Sequence, residues 1–204
     1  MKKIVIAQFK GGTGKSTLAT NLAATFSKEC MTSLIDLDSQ KTASFWGRNR
    51  KVKEPKSLFV GFDELNKTLL LLEKNDYEIV VIDTPGFYSD NLKDVFAIAD
   101  LVIIPVRPSL PDLLTVPKIL ELVEDRPHKI CVVMALKKAL ETMDVVEVLK
   151  NKFNEIPFGT IITNRQSYIR AFSNSLSLTE TSSDFTAKRE INTLVLEVYK
   201  FIRL

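Results

Sequence analysis

Lys10-Gly11-Gly12-Thr13-Gly14-Lys15-Ser16-Thr17 is the stretch whose reading decides the fold. It follows the β-branched run Lys3-Ile4-Val5-Ile6-Ala7, and residues with helical spacing begin at Lys15. Glycines let the backbone curl so that successive N–H groups point inward at phosphate oxygens, and the helix N-terminus adds positive potential. In such a loop Lys15 reaches the β- and γ-phosphates and the Ser16 hydroxyl ligates Mg²⁺. The strict pattern has a further glycine ahead of this stretch. Here Gln8-Phe9-Lys10-Gly11-Gly12-Thr13 lacks it and carries Lys10 instead.

Outward from this loop, strand-like and helix-like segments alternate. Strands are expected at Ser33–Asp36, Ile79–Asp83, Leu101–Pro105 and Lys129–Val133, with a weaker one near Gly159–Ile162 and a short one at Leu58–Val60. Near-continuous apolar runs of this length suit strands buried on both faces, as in a parallel sheet covered by helices. Helices are expected over Lys15–Lys28, Phe62–Lys74, Asp112–Asp125, Asp144–Phe153 and Ala187–Arg203. In the last, Ile191, Leu194, Val195, Val198 and Ile202 share one face, a packed face rather than a lipid anchor. The pattern predicts an α/β, doubly wound, mostly parallel sheet flanked by helices, with its ligand at the strands' carboxyl ends. Without repeats or an evident linker, residues 1–204 are expected to form one domain. Arg48–Lys56 and the Ser/Thr/Asn-rich Ser173–Asp184 read as mobile surface loops.

Composition sets the outer limits. The 204 residues are 26% charged and 45% hydrophobic, with a net charge of +3, which is ordinary for a globular protein. Cys30 and Cys131, the only two cysteines, are far apart and lack metal-ligand spacing, which excludes a disulfide scaffold or zinc ribbon. No apolar run approaches the roughly 18 residues of a membrane span. A cytoplasmic protein with no membrane association is expected. So mild a charge means that any nucleic-acid affinity comes from a local patch.

Carboxylates complete the candidate site. Asp83 ends an apolar strand and leads into Thr84-Pro85-Gly86, the place from which a carboxylate holds a Mg²⁺-bound water. Leu34-Ile35-Asp36-Leu37-Asp38-Ser39-Gln40 ends the second strand with two more. Phosphoryl transfer needs a group to orient the attacking water, and a carboxylate at a neighbouring strand end is well placed for it.

The octet Lys10 to Thr17 resembles the deviant Walker A motif of the ParA/MinD ATPases. Asp36-x-Asp38-x-Gln40 is similar to that family's second signature, although Ser39 stands where proline is common. Ala99-Asp100-Leu101-Val102-Ile103-Ile104-Pro105-Val106-Arg107-Pro108-Ser109 resembles a third block. Ile162-Thr163-Asn164-Arg165-Gln166-x-Tyr168 and Ala187-Lys188-x-Glu190-Ile191 are most similar to the small ParF-like ParA partition proteins. The resemblance implies that Lys10 reaches across a nucleotide-sandwich homodimer to the partner's ATP. It makes Lys10 and Asp38 catalytic and places Lys10, Gly11, Gly12, Thr13, Gly14, Lys15, Ser16 and Thr17 around the nucleotide. Ser16, Asp36 and Asp83 form the implied Mg²⁺ set, with Asp36 in support. No Asn-Lys-x-Asp guanine signature occurs, which favours ATP over GTP. Lys137, Thr163 and Arg165 are candidate adenine contacts from their strand-end positions.

The resemblance further implies an ATP-timed switch for plasmid or chromosome partition on the nucleoid. The first strand begins almost at Met1, leaving no N-terminal helix-turn-helix, so a centromere-binding ParB/ParG-like adaptor protein is expected to read DNA sequence. Lys137, Lys138, Lys150, Lys152, Arg165, Arg170, Lys188 and Arg189 are candidates for nonspecific DNA contacts, which are salt-sensitive and blind to sequence. Two alternatives stay open: positioning of a protein cargo on the nucleoid, and an ATP-dependent small-molecule ligase.

Overall fold

The computed structural model describes residues 1–124, 126–136, 140–181 and 183–202. Six strands form one parallel sheet: β1 (Lys2–Ile6), β2 (Thr32–Asp36), β3 (Lys56–Phe59), β4 (Ile79–Asp83), β5 (Leu101–Val106) and β6 (His128–Val132). Their spatial order is β3-β2-β4-β1-β5-β6. Side chains alternate across the pleat, and each set finds its own core. Ile4 and Ile6 of β1, Ile79 and Val81 of β4, and Leu101 and Ile103 of β5 enter one core. Val5, Val80, Ile82, Val102 and Ile104 enter the other. This explains why the strands read as continuous apolar runs.

Helices α1 (Lys15–Phe26) and α2 (Thr42–Arg48) share the first core with α8 (Gln166–Ser173) and α9 (Phe185–Ile202). The second core is covered by α3 (Leu65–Lys74), α4 (Asn91–Ala97), the short α5 (Leu110–Leu113), α6 (Val116–Val123) and α7 (Leu140–Phe153). β1 and β4 are neighbours, yet α1 after β1 and α4 after β4 lie on opposite faces. A crevice therefore opens beyond their carboxyl ends, where open α/β sheets bind ligands.

Several expectations change. Asp112–Asp125 is not one helix: Pro117 has no N–H to donate and fits only a first turn, so the chain stops after Leu113 and restarts at Val116. Asp125 lies outside the described residues, as does Arg203 at the expected end of α9. Helices α2, α4 and α8 were not expected. The strand near Gly159–Ile162 does not form. Phe158 and Ile162 donate to Ile130 and Val132 of β6 at 2.9 Å each, but the Glu197 carboxylate takes the Gly159 and Thr160 N–H groups at 2.7 and 2.8 Å. Only the bridge between Ala135 and Thr163 remains.

Ser173–Asp184, of which Ser182 lies outside the described residues, is not a free surface loop. Ser177, Leu178 and Thr179 are buried, and a 3₁₀ turn at Leu178–Glu180 is closed by a Ser177–Glu180 capping box. Asn21 Oδ1 accepts the Leu178 N–H at 2.8 Å, and Trp46 Nε1 donates to Leu176 O at 3.3 Å. Arg50, stacked on Trp46, pairs with Glu180 at 2.6 Å and also ties down part of the expected Arg48–Lys56 loop. Asn21, Trp46 and Arg50 all come from far along the chain.

Candidate nucleotide site

The phosphate loop occupies residues 7–14 between β1 and α1. Gly12 and Gly14 have φ of +72° and +83°, a region that penalises any side chain, so these two positions need glycine. Gln8, fully buried, anchors the loop's entry: its amide donates to Pro105 O at 3.3 Å, and its oxygen accepts the Phe9 N–H at 2.8 Å and the Thr115 hydroxyl at 2.9 Å. Lys15 is 7% exposed and its Nζ donates to Lys10 O at 3.2 Å, across the mouth of the loop. Burial lowers the Lys15 pKa, opposed by the charges of Asp83 and Asp38. Gly86 completes the wall from β4's side. A Cβ there would lie 3.2 Å from both Gly11 Cα and Lys15 Nζ.

Asp36 and Asp83 stand side by side, paired in register at the ends of β2 and β4 and fully buried. Asp36 Oδ1 accepts the Asp38 N–H at 3.0 Å and Oδ2 accepts the Ser44 N–H at 2.8 Å, so this carboxylate fixes the Asp38 turn and the first turn of α2. The two oxygens of Asp83 have no hydrogen-bond partner among the described residues. Burial is the largest cause raising the Asp83 pKa to about 7, and the Asp36 charge adds to it; the nearby Ser16 hydroxyl, short of hydrogen-bond geometry, and the Lys15 charge oppose it. A buried carboxylate without partners, beside a buried lysine and a glycine-rich loop, suits a bound cation. Asp38 is half-buried, and its Oδ1 accepts the Gln40 N–H at 3.0 Å.

Lys10 takes a direction the octet alone does not specify. Its Nζ donates to Asp112 Oδ2 at 2.7 Å. Asp112 is fully buried and also accepts from Arg107 Nε at 2.9 Å and Ser109 Oγ at 2.6 Å. Although burial alone would raise it, these donors hold the Asp112 carboxyl down at about 2. The sequence signal for Asp112 was slight: one aspartate just behind the third block. Beyond Lys10 a cleft of about 640 Å³ is lined by Arg107, Ser109, Leu136, Glu141 and Asn164.

A second cavity, about 210 Å³, adjoins the loop at Gly14 and Thr17. Leu18, Met134, Ile162 and Tyr168 give it apolar walls, and Thr163, Asn164 and Arg165 supply polar groups. The structure thus brings Thr163 and Arg165 to the loop, while Lys137 lies outside the described residues. Met134 was missed, since an isolated methionine carries no spacing signal; Tyr168 was read as part of the family-like block but not as a site residue.

The basic residues do not form one patch. Lys150 and Lys152 are on α7, which packs on one face of the sheet. Arg165, Arg170, Lys188 and Arg189 belong to α8, α9 and the turn before them, on the other face. Lys138 lies outside the described residues.

A parallel sheet with a glycine-rich loop after its central strand β1, opposite a strand-end aspartate, defines a P-loop nucleotide-binding fold. The chain belongs to the CobQ/CobB/MinD/ParA nucleotide binding domain family, whose model matches residues 4–190. It is 37% identical over 116 residues to the maintenance of carboxysome distribution protein A of Gloeobacter kilaueensis, covering 54% of this chain and 51% of the relative. It is 27% identical over 133 residues to protein ParA of Rhizobium radiobacter, covering 64% and 60%. The matches thus span about half to three-fifths of these relatives. Among solved structures, a putative plasmid partition protein from Borrelia burgdorferi bound to AMPPNP superposes with a TM-score of 0.76 at 21% identity, covering 97% of this chain and 99% of that one.

Proposed function

We propose that this chain, acting as one domain, is a Mg²⁺-dependent ATPase switch of the partition type. The observation that carries the reading is the placement of buried Lys15 near Asp83, whose two buried oxygens have no hydrogen-bond partner among the described residues, at the mouth of the phosphate loop. Ser16 and Asp83 would hold Mg²⁺, with Asp36 fixed behind them. Mg²⁺ supplies charge neutralisation at the phosphates. Gly11 to Thr17 cradle the phosphates, the cavity at Thr163 and Arg165 takes the base, and Asp38 orients the attacking water.

Lys10 is the dimer residue. It rests on Asp112 in its own chain, and closing an ATP-sandwich homodimer transfers it to the partner's phosphates. Exposed Leu110, Leu114 and Leu136, which follow β5 and β6 at the same sheet end, give that interface apolar area. Such a switch works because ATP binds the closed state more tightly than the open one. DNA contacts of the closed dimer come from Arg165, Arg170, Lys188 and Arg189 on the α8–α9 face, with Lys150 and Lys152 outside that group. The switch acts on the nucleoid in the cytoplasm, reset by an adaptor that stimulates hydrolysis.

Two cargoes fit this switch. A plasmid or chromosome carried through a ParB/ParG-like adaptor fits the ParA relative; a protein assembly fits the carboxysome-distribution relative, at the higher identity. The test measures mass in solution with ADP and with a nonhydrolysable ATP analogue, for wild type and Lys10→Ala. An analogue-dependent dimer lost in Lys10→Ala is expected; a monomer with both nucleotides overturns the sandwich.

A further inference from the structure

The base cavity and helix α9 share a carboxylate that has no part in phosphate chemistry. The Glu190 side chain is only 12% exposed. Its Oε1 accepts the Thr163 hydroxyl at 2.7 Å, while Oε2 accepts the Thr163 N–H at 3.1 Å and the Tyr168 hydroxyl at 3.3 Å. Arg165 Nε lies 3.9 Å from Oε1 and donates to Thr163 Oγ1 at 2.8 Å. Thr163, Arg165 and Tyr168 all line the cavity, and Glu190 does not. One carboxylate thus grips three wall residues from behind.

Backbone hydrogen bonds hold the residues on either side of Thr163: Ile162 donates to Val132 O at 2.9 Å and Asn164 to Ala135 O at 2.8 Å. Thr163 belongs to no strand, and its single bridge to Ala135 leaves its own N–H to Glu190. A backbone donor held by a carboxylate is both satisfied and directed. Asp184 braces the same segment, accepting the Ser167 hydroxyl at 2.7 Å, the Ala187 N–H at 3.1 Å and Arg165 Nη1 at 3.4 Å. Asp184 bonds to one of the three wall residues, whereas Glu190 reaches all three.

We propose that Glu190 is a positioning residue for the nucleotide base: it holds Thr163, Arg165 and Tyr168 so that the cavity has its binding shape before the nucleotide arrives. Preorganised walls spare the nucleotide the cost of ordering them. The inference rests on reading the 210 Å³ cavity as the base site. The hydrogen bonds and ion pair of Glu190 go to Thr163, Tyr168 and Arg165 and not to a phosphate-loop residue, so its effect is confined to the base end of the ligand.

The test titrates wild type, Glu190→Gln and Glu190→Ala with two Mg²⁺ complexes, AMPPNP and inorganic tripolyphosphate, alongside thermal melting. Glu190→Ala is expected to weaken AMPPNP about tenfold and to leave tripolyphosphate within about twofold. Glu190→Gln, whose amide oxygen still accepts from Thr163, is expected to stay within about threefold of wild type for AMPPNP. Equal weakening of both ligands, or unchanged AMPPNP binding in Glu190→Ala, overturns the proposal. If Glu190→Ala does not fold, Thr163→Val breaks the same contact from the cavity side, and the same comparison of ligands decides. Failure of the base-site reading is distinguishable: wild type itself then binds AMPPNP no better than tripolyphosphate.

Discussion

The ends of β2 and β4 carry the same residue at the same register, and their surroundings give it opposite tasks. Asp36 and Asp83 are adjacent, fully buried and both raised in pKa by burial. Asp36 spends both oxygens on backbone N–H groups that shape the Asp38 turn and α2. Asp83 spends neither, although it stands beside Lys15. An unpaired buried carboxylate is costly, and proteins keep that cost mostly where a ligand relieves it. Burial alone therefore does not mark a functional aspartate; the absence of internal partners does.

Asp83→Asn breaks the comparison most severely. Removing the charge that would hold Mg²⁺ is expected to lower ATP hydrolysis by about 100-fold or more, read as steady-state phosphate release. Asp36 reports on the other half. Asp36→Ala leaves the Asp38 and Ser44 N–H groups without their acceptor and is expected to cost about 3 kcal/mol in urea unfolding. The same measurement on nucleotide-free Asp83→Asn is expected to give no loss. Equal destabilisation by the two substitutions would erase the distinction.

A pH series sharpens it further. The folded Asp83 carboxyl, at about 7, binds its proton more tightly than the ordinary carboxyl at 3.8. Between those values the folded state holds the proton that the unfolded chain has lost, so stability falls as pH rises from about 4 to about 7. Above that range the contribution is constant. Lys15, Asp36 and Asp38 face the same group, so the informative quantity is the difference between wild type and Asp83→Asn in EDTA. That difference is expected to grow by about 4 kcal/mol between pH 4 and pH 8 in the variant's favour.

How much of this was legible in the sequence follows from where the causes lie. The phosphate loop and Asp83 were readable because cause and effect are local: glycines bend their own backbone, and an aspartate closes its own apolar strand. Helix α2 was not, because its first turn is held by Asp36, eight residues before Ser44. The Ser173–Asp184 segment misled for the same reason. Its Ser and Thr content signals a loop, yet Asn21, Thr25, Trp46 and Arg50 arrive from the first quarter of the chain to satisfy it. Glu197 likewise removes a strand by taking two N–H groups 37 and 38 residues away. The basic residues, close in sequence, separate because the chain crosses from α7 to α8 and so changes faces.

Asp112 gives the comparison a third buried aspartate and the smallest of these expected effects. It is saturated with donors, and its carboxyl, held at about 2, contributes stability above about pH 4 that is lost as pH falls through 2. Asp112→Asn is expected to cost only about 1 kcal/mol at pH 7, because Lys10 and Arg107 are both partly exposed and water replaces the lost pairing. The same substitution frees Lys10. If Lys10 must leave Asp112 to reach a partner's phosphate, the variant should dimerise with a nonhydrolysable ATP analogue at an about threefold lower protein concentration. Sedimentation across a concentration series reads that shift, and Lys10→Ala in the same background should abolish it. Dimerisation unchanged in Asp112→Asn would mean that Lys10 leaves Asp112 at no cost, and the contact would then be packing rather than a restraint on the switch.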